Sequence, residues 1–199
     1  MSLNKQVFKS MLFIIACFLF LQSVTAQNAD INLLESINPR NPNSTIIKGF
    51  SQSVYPVSLA VPLGLLATGY ISKDKKLQYK GWESVGALAV NTVITKGLKY
   101  TINRTRPYEK YPAQVFPYNI ENDPSFPSGH TSAAFATATT LTLEFKKWYI
   151  VVPAYAWAAG VGYSRLYLGE HYPTDVLGGA IVGAGSAVLS HWLTKKLLR

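Results

Sequence analysis

Five apolar stretches, at about residues 54–71, 82–98, 131–145, 148–163 and 176–193, constrain this chain more than any other feature. Ala, Gly, Leu, Val and Thr dominate them, and carboxylates are nearly absent. They are too long for ordinary strands, so they are predicted to be helices. Their lengths sit at or just below the roughly 17–25 residues that a bilayer-crossing helix needs. Length alone leaves two readings open: buried helices of a soluble bundle, or a multi-pass membrane protein. Only 15% of the 199 residues are charged, against roughly 25% in soluble domains, which excludes a disordered chain. The single cysteine, Cys17, excludes an intrachain disulfide and a cysteine-based zinc site.

The segments between the stretches favour the membrane. Residues 71–81 carry net +3, residues 144–147 net +1, the tail with Lys195, Lys196 and Arg199 net +3, and Lys5 with Lys9 net +2. Together they hold the whole formal charge of +9, and everything else is neutral in sum. In an alternating topology all four fall on one side, which is the positive-inside pattern. Trp82, Trp148, Tyr149 and Trp192 sit at the ends of apolar runs, where an interfacial aromatic belt is expected. The predicted fold is all-α, a multi-pass transmembrane helical bundle. No basic stripe shares a face with interleaved aromatics, so nucleic acid is excluded as a partner.

Residues 1–26 read as an export signal. Lys5 and Lys9 give a basic start, Met11–Leu21 is apolar, and Val24-Thr25-Ala26 offers small residues before Gln27. Left uncleaved, the segment would be a first transmembrane helix, making six rather than five. Ile14-Ile15-Ala16-Cys17 matches a lipoprotein box only loosely, with too short an apolar run before it. Residues 27–53 are polar and rich in Asn and Pro, and are predicted to be an irregular, exposed lead-in. Residues 54–199 would form the helical functional domain.

Three groups of residues carry chemistry. Lys99 and Arg106 lie seven residues apart, two turns of a helix that Pro107 would end. Two cations on one helix face make an anion clamp, or merely a solvated helix end. Pro127-Ser128-Gly129-His130 directly precedes an apolar helix. Ser128 suits the N-cap, Gly129 permits close backbone approach, and the free N–H groups of such a start attract anions. His130 there is placed to protonate a leaving group, or is incidental to a cap. Ser164-Arg165, His171 and Asp175 form the third group. Asp175 can hold one imidazole nitrogen of His171 as N–H and leave the other as nucleophile or base; it also suits the N-cap of a helix from Val176.

Lys99-x6-Arg106-Pro107, Pro127-Ser128-Gly129-His130 and Ser164-Arg165-x5-His171-x3-Asp175 together resemble the type 2 phosphatidic acid phosphatase superfamily. That superfamily also takes in class A non-specific acid phosphatases and vanadium haloperoxidases. The resemblance implies a phosphatase in which His171 forms a phosphohistidine and Asp175 orients it. His130 would be the general acid, and Lys99, Arg106, Ser128, Gly129 and Arg165 would hold the phosphate oxygens. Three cations and a helix N-terminus supply the charge stabilisation without a metal, so no cofactor is expected. The implied substrate is a lipid phosphate monoester or pyrophosphate: phosphatidic acid, phosphatidylglycerol phosphate, a polyprenyl pyrophosphate or a lipid A phosphate. The implied place is a bacterial inner membrane with the site facing the periplasm. Membrane lipids are the expected surroundings, with no obligate protein partner.

Two other readings stay open: a soluble periplasmic acid phosphatase with the same site, and a lipid-phosphate binding or transport protein. Mere binding needs the cations but not the His171–Asp175 pair. The segment 108–126 (Tyr108, Tyr111, Phe116, Tyr118, Phe126) and the lead-in are the expected selectors of the lipid, their aromatics contacting a tail or sugar, or merely packing. No motif claims His191, for which an interfacial or packing role rather than catalysis is expected. Gly179-x3-Gly183 permits close helix packing. Asn43-Ser44-Thr45 and Asn103-Arg104-Thr105 match a glycosylation pattern, the second by chance, since it lies inside the cation clamp.

Overall fold

A computed structural model describes residues 29–198. The expected export signal lies outside them. The described part of α1 covers residues 29–37. There follow α2 (Thr45–Gln52), α3 (Val54–Ile71), α4 (Lys75–Ile102), the short α5 (Pro107–Lys110), α6 (Gly129–Phe145), α7 (Trp148–Tyr167) and α8 (Pro173–Leu198). No strand occurs among the described residues. The five apolar stretches are α3, α4, α6, α7 and α8, each helix at least as long as its apolar run.

Helix boundaries follow local chemistry. The Asp74 carboxylate caps α4, accepting from the N–H groups of Lys76 at 2.8 Å and Leu77 at 3.3 Å. Asn103 ends α4 in the left-handed region, with φ 47°. Lys146 ends α6 in the same way. Pro173 opens α8, where its missing N–H costs nothing.

α6 is central and packs against α3, α4, α7 and α8. Its buried residues are small or hydroxylic: Thr131, Ser132, Ala134, Ala136, Thr137, Ala138, Thr139 and Thr140. Their hydroxyls join the helices. Thr95 and Ser132 pair at 3.0 Å, Thr137 donates to Ser58 at 2.9 Å, and Thr139 meets Tyr155 at 2.9 Å. Glycines set the closest approach. A Cβ on Gly179 would lie 2.6 Å from the Ser128 carbonyl, and one on Gly183 would lie 2.1 Å from that of Ser132. Large apolar side chains face outward instead: Leu63 is 62% exposed, Val93 72%, Val152 60% and Ile181 65%. α3 and α8 are long and apolar enough to cross a membrane, yet only 22% and 28% of their spans are buried. A soluble protein's core helix would be mostly buried. Hydroxyls and glycines inside with Leu, Ile and Val outside is the pattern of a bundle solvated by lipid.

The lead-in departs from its prediction. Residues 27–53 are not irregular throughout: α1 and α2 lie within them. Leu34 is fully buried and Ile31 nearly so, packed on Tyr108, Val115 and Tyr172. The Asn38 side chain explains the fixed path. Its amide donates to the carbonyls of Phe116 (3.0 Å) and Tyr167 (2.8 Å), and its oxygen accepts from the Phe116 N–H at 2.8 Å. Beside it, Gly169 has φ +68°, and a Cβ there would strike the Phe116 carbonyl at 2.6 Å. The polar composition that looked like an open loop is a set of backbone ties.

Candidate active site

The chain alternates direction, so one end of the bundle gathers the end of α4, the start of α6, the end of α7 and the start of α8. Lys99 and Arg106 do not share a helix, because α4 stops at Ile102. The turn at Asn103 brings them together by another route. Lys99 Nζ lies 3.2 Å from Asp123 Oδ2. Arg106 donates through Nε to the Asp123 carbonyl at 2.8 Å and through Nη2 to its carboxylate. Arg106 Nη1 donates to the Glu170 carbonyl at 2.9 Å. Burial alone would raise the Asp123 carboxyl, but the Lys99 ammonium and Arg106 guanidinium outweigh it and hold it below the usual carboxylate range.

Arg165, at the end of α7, is buried. Its Nη1 donates to Ser51 of α2 at 2.5 Å, and Nη2 reaches Glu121 at 3.3 Å and the fully buried Glu170. Its Nε is buried without a hydrogen-bond partner among the described residues. Ser128 caps α6, accepting from Thr131 Oγ1 at 3.0 Å and, at a long 3.5 Å, from the Thr131 N–H. Gly129 follows, and a Cβ there would only just reach Lys99 Cε, 4.0 Å away. The His130 ring stands edge-on to Tyr55, centroids 5.1 Å apart, within electrostatic reach of Arg165, His171, Arg106 and Lys99.

His171 lies in the turn before α8, almost wholly buried. Its Nδ1 faces Asp175 Oδ2 and Ser125 Oγ, each at 3.5 Å. Burial pushes its pKa down to about 3, against a smaller upward pull from Asp175, so the ring is neutral. Asp175 is not the N-cap predicted for a helix from Val176, since α8 begins at Pro173. Instead its carboxylate is fixed by Ser125 Oγ (2.5 Å), the Tyr172 N–H (2.9 Å) and Arg104 Nη1 (2.5 Å). Arg104 also pairs with Asp30 of α1 at 2.7 Å and covers the Tyr172 ring at 3.9 Å.

The structure thus gathers Lys99, Arg106, Ser128, Gly129, His130, Arg165, His171 and Asp175 at one end of the bundle. Sequence reasoning missed Arg104, Glu121, Asp123, Ser125 and Glu170. Arg104 and Glu170 stand inside or beside the motifs, so spacing had a signal for them. Glu121 and Asp123 lie in the segment read for its aromatics. Of those aromatics Tyr108 is buried and Tyr111 packs beside it, whereas Tyr118 is exposed; the Tyr108 hydroxyl donates to the Glu121 carbonyl at 3.1 Å and accepts from its N–H at 2.9 Å. His191 is remote from this end and packs against Glu83 of α4 and Glu144 of α6.

Three cations paired with carboxylates, a helix N-terminus and a neutral, anchored imidazole thus stand together at one end of a membrane-type helical scaffold. The description "PAP2 superfamily" matches residues 80–199, and the chain belongs to that family. A lipid A 1-phosphatase of Porphyromonas gingivalis is 32% identical over 152 residues, covering 72% of this chain and 30% of the relative. The chain therefore spans less than a third of that curated relative's length. The crystal structure of Aquifex aeolicus LpxE superposes with TM-score 0.63 at 28% identity, covering 82% of this chain and 95% of the other. A transmembrane PAP2-type phosphatidylglycerolphosphate phosphatase from Bacillus subtilis shares the fold, with TM-score 0.68 at 24% identity over 94% and 96% of the two chains.

Proposed function

We propose that the chain hydrolyses the phosphate of a lipid through a phosphohistidine. The observation that carries this reading is the His171–Asp175 pair. Nδ1 is turned to the carboxylate, which leaves Nε2 for attack beside Lys99, Arg106 and Arg165. The phosphate oxygens replace Asp123 and Glu121 on these cations and take up the N–H groups at the start of α6. His171 Nε2 attacks phosphorus as the bond to the lipid oxygen breaks, and His130, held in its imidazolium form by the negative charge of the bound phosphate, gives that oxygen its proton and becomes neutral. Asp175 stabilises the charge that develops on the imidazole. Water then attacks the phosphohistidine, His130 takes its proton, and inorganic phosphate leaves with His171 neutral again. The cations and helix dipole stabilise charge on the transferring group in both steps, and no metal takes part.

A lipid substrate is supported by a cavity of about 340 Å³ lined by Tyr55, Asn91, Thr95, Lys99, Gly129 and Ala133 among others. It extends from the cations along two turns of α4, about 12 Å at the helical rise, past Lys96 and Thr92 to Asn91. The positively charged turns gather at the opposite end, where Lys80 meets Glu144 and the Phe145 ring. By the positive-inside rule that end is cytoplasmic, so the site faces outward, toward the periplasm of a bacterial inner membrane.

Purified chain assayed against a panel of lipid phosphates and a water-soluble ester tests the reading. Release from at least one lipid phosphate should exceed release from the soluble ester by tenfold or more, and His171→Ala should abolish release while substrate still binds. Unchanged turnover in His171→Ala overturns the mechanism. Binding without release by the unmodified chain overturns the enzymatic reading.

A further inference from the structure

At the end of the bundle opposite His171, α4, α6 and α8 each direct one metal-ligating side chain to a common point. These are Glu83, Glu144 and His191, and one ligand atom of each lies within 4.8 Å of the others. The Glu83 side chain is 1% exposed and that of Glu144 9%. His191 Nδ1 is hydrogen-bonded to Glu83 Oε1 and lies 3.4 Å from Glu144 Oε1. Glu83 Oε2 is buried with no hydrogen-bond partner among the described residues. Lys80 supplies only partial compensation. Its ammonium donates to the Glu144 carbonyl at 2.7 Å and stays 4.0 Å from the nearer carboxylate oxygen. Two carboxylates in an apolar bundle with one ammonium between them leave an uncompensated negative charge, which is costly unless a cation or proton joins them.

We infer that Glu83, Glu144 and His191 bind a divalent cation of the zinc class that ties the far ends of α4, α6 and α8 together. One imidazole and two carboxylates are a donor set for such an ion. Metal–ligand bonds of about 2.0–2.2 Å place ligand atoms roughly 3–3.5 Å apart in a tetrahedral site. The present spread closes to that with small side-chain rotations. Nδ1 cannot keep a proton and bind the ion, so the neutral imidazole carries its proton on Nε2 when the ion is bound. Lys80 on the Glu144 backbone and Ser190 Oγ, 3.4 Å from the Glu83 carbonyl, steady the two carboxylate-bearing turns. Glu83 stands sixteen residues before Lys99 on α4, about 24 Å along the helix, so the ion is structural and takes no part in phosphate chemistry.

Zinc chloride titrated calorimetrically into the metal-stripped full chain in detergent micelles tests this. One ion per chain and a rise in Tm are expected. Glu83→Gln and His191→Asn should each weaken binding about tenfold or more, whereas His171→Ala should leave it unchanged. Should the buried variants fail to fold, Glu144→Gln at the more exposed edge repeats the comparison. Absence of saturable uptake by the unmodified chain, or uptake undiminished in all three variants, overturns the inference. Because the readout is metal uptake, it stands apart from any result on phosphate release.

Discussion

At the scale of single residues, the carboxylates of the 120s segment govern the empty site. Asp123 holds two of the three cations and Glu121 reaches the third. Asp123→Asn removes the competing charge while keeping the shape. It should tighten inhibition by inorganic phosphate several-fold, on the scale of one charge-assisted hydrogen bond; unchanged inhibition would mean the carboxylate does not compete. His171 has its own signature. Its pKa is about 3 when folded and near 6.5 when unfolded. Between those values the unfolded chain binds the extra proton, so stability is full above about pH 6.5 and falls as pH drops toward 3. Thermal melts from pH 7 to 4 should show a falling Tm, with a shallower fall in His171→Gln. The motif residues were legible because phosphate recognition uses few residue types at fixed spacings. Asp123 and Glu121 were not, since nothing in a run of polar loop residues tells which carboxylate will turn inward.

At the scale of elements, the apolar stretches announced α3, α4, α6, α7 and α8, and the ends of these helices were the less legible part. Asn103 entering the left-handed region stops α4 before Arg106, and Pro173 starts α8 before Asp175. The small-residue spacing of α8 was a weak sequence signal that packing makes specific. A Cβ on Gly183 meets backbone atoms of α6, whereas one on Gly185 meets nothing within 4 Å. Gly183→Ala should therefore destabilise by about 1–3 kcal/mol, as overpacking does. Gly185→Ala should be neutral or slightly stabilising by helix propensity. Paired melts in the same micelle check both. The helices of the lead-in escaped sequence reading because Asn, Pro and Ser favour loops by composition. Here Asn38 and Ser51 instead bond to the site loops and to Arg165.

At the scale of the whole molecule, the bundle turns its large apolar side chains outward and keeps its ionisable groups at its two ends. Carbonate extraction of cells expressing the chain should leave it in the pellet; recovery in the supernatant would contradict a lipid-solvated bundle. The low charge content of the sequence pointed to that environment, and the outward Leu63, Val93, Val152 and Ile181 give it a surface. The pairing of Lys99, Arg104, Arg106 and Arg165 with Asp30, Glu121, Asp123, Glu170 and Asp175 also shapes how a substrate arrives. Four cations face five carboxylates, so this end of the bundle projects almost no positive field into the surrounding water. An incoming phosphate is not drawn from a distance; it trades places with anions already seated. Capture should therefore vary little with ionic strength, and two-dimensional diffusion within the lipid leaflet, rather than electrostatic steering, sets how often substrate and site meet.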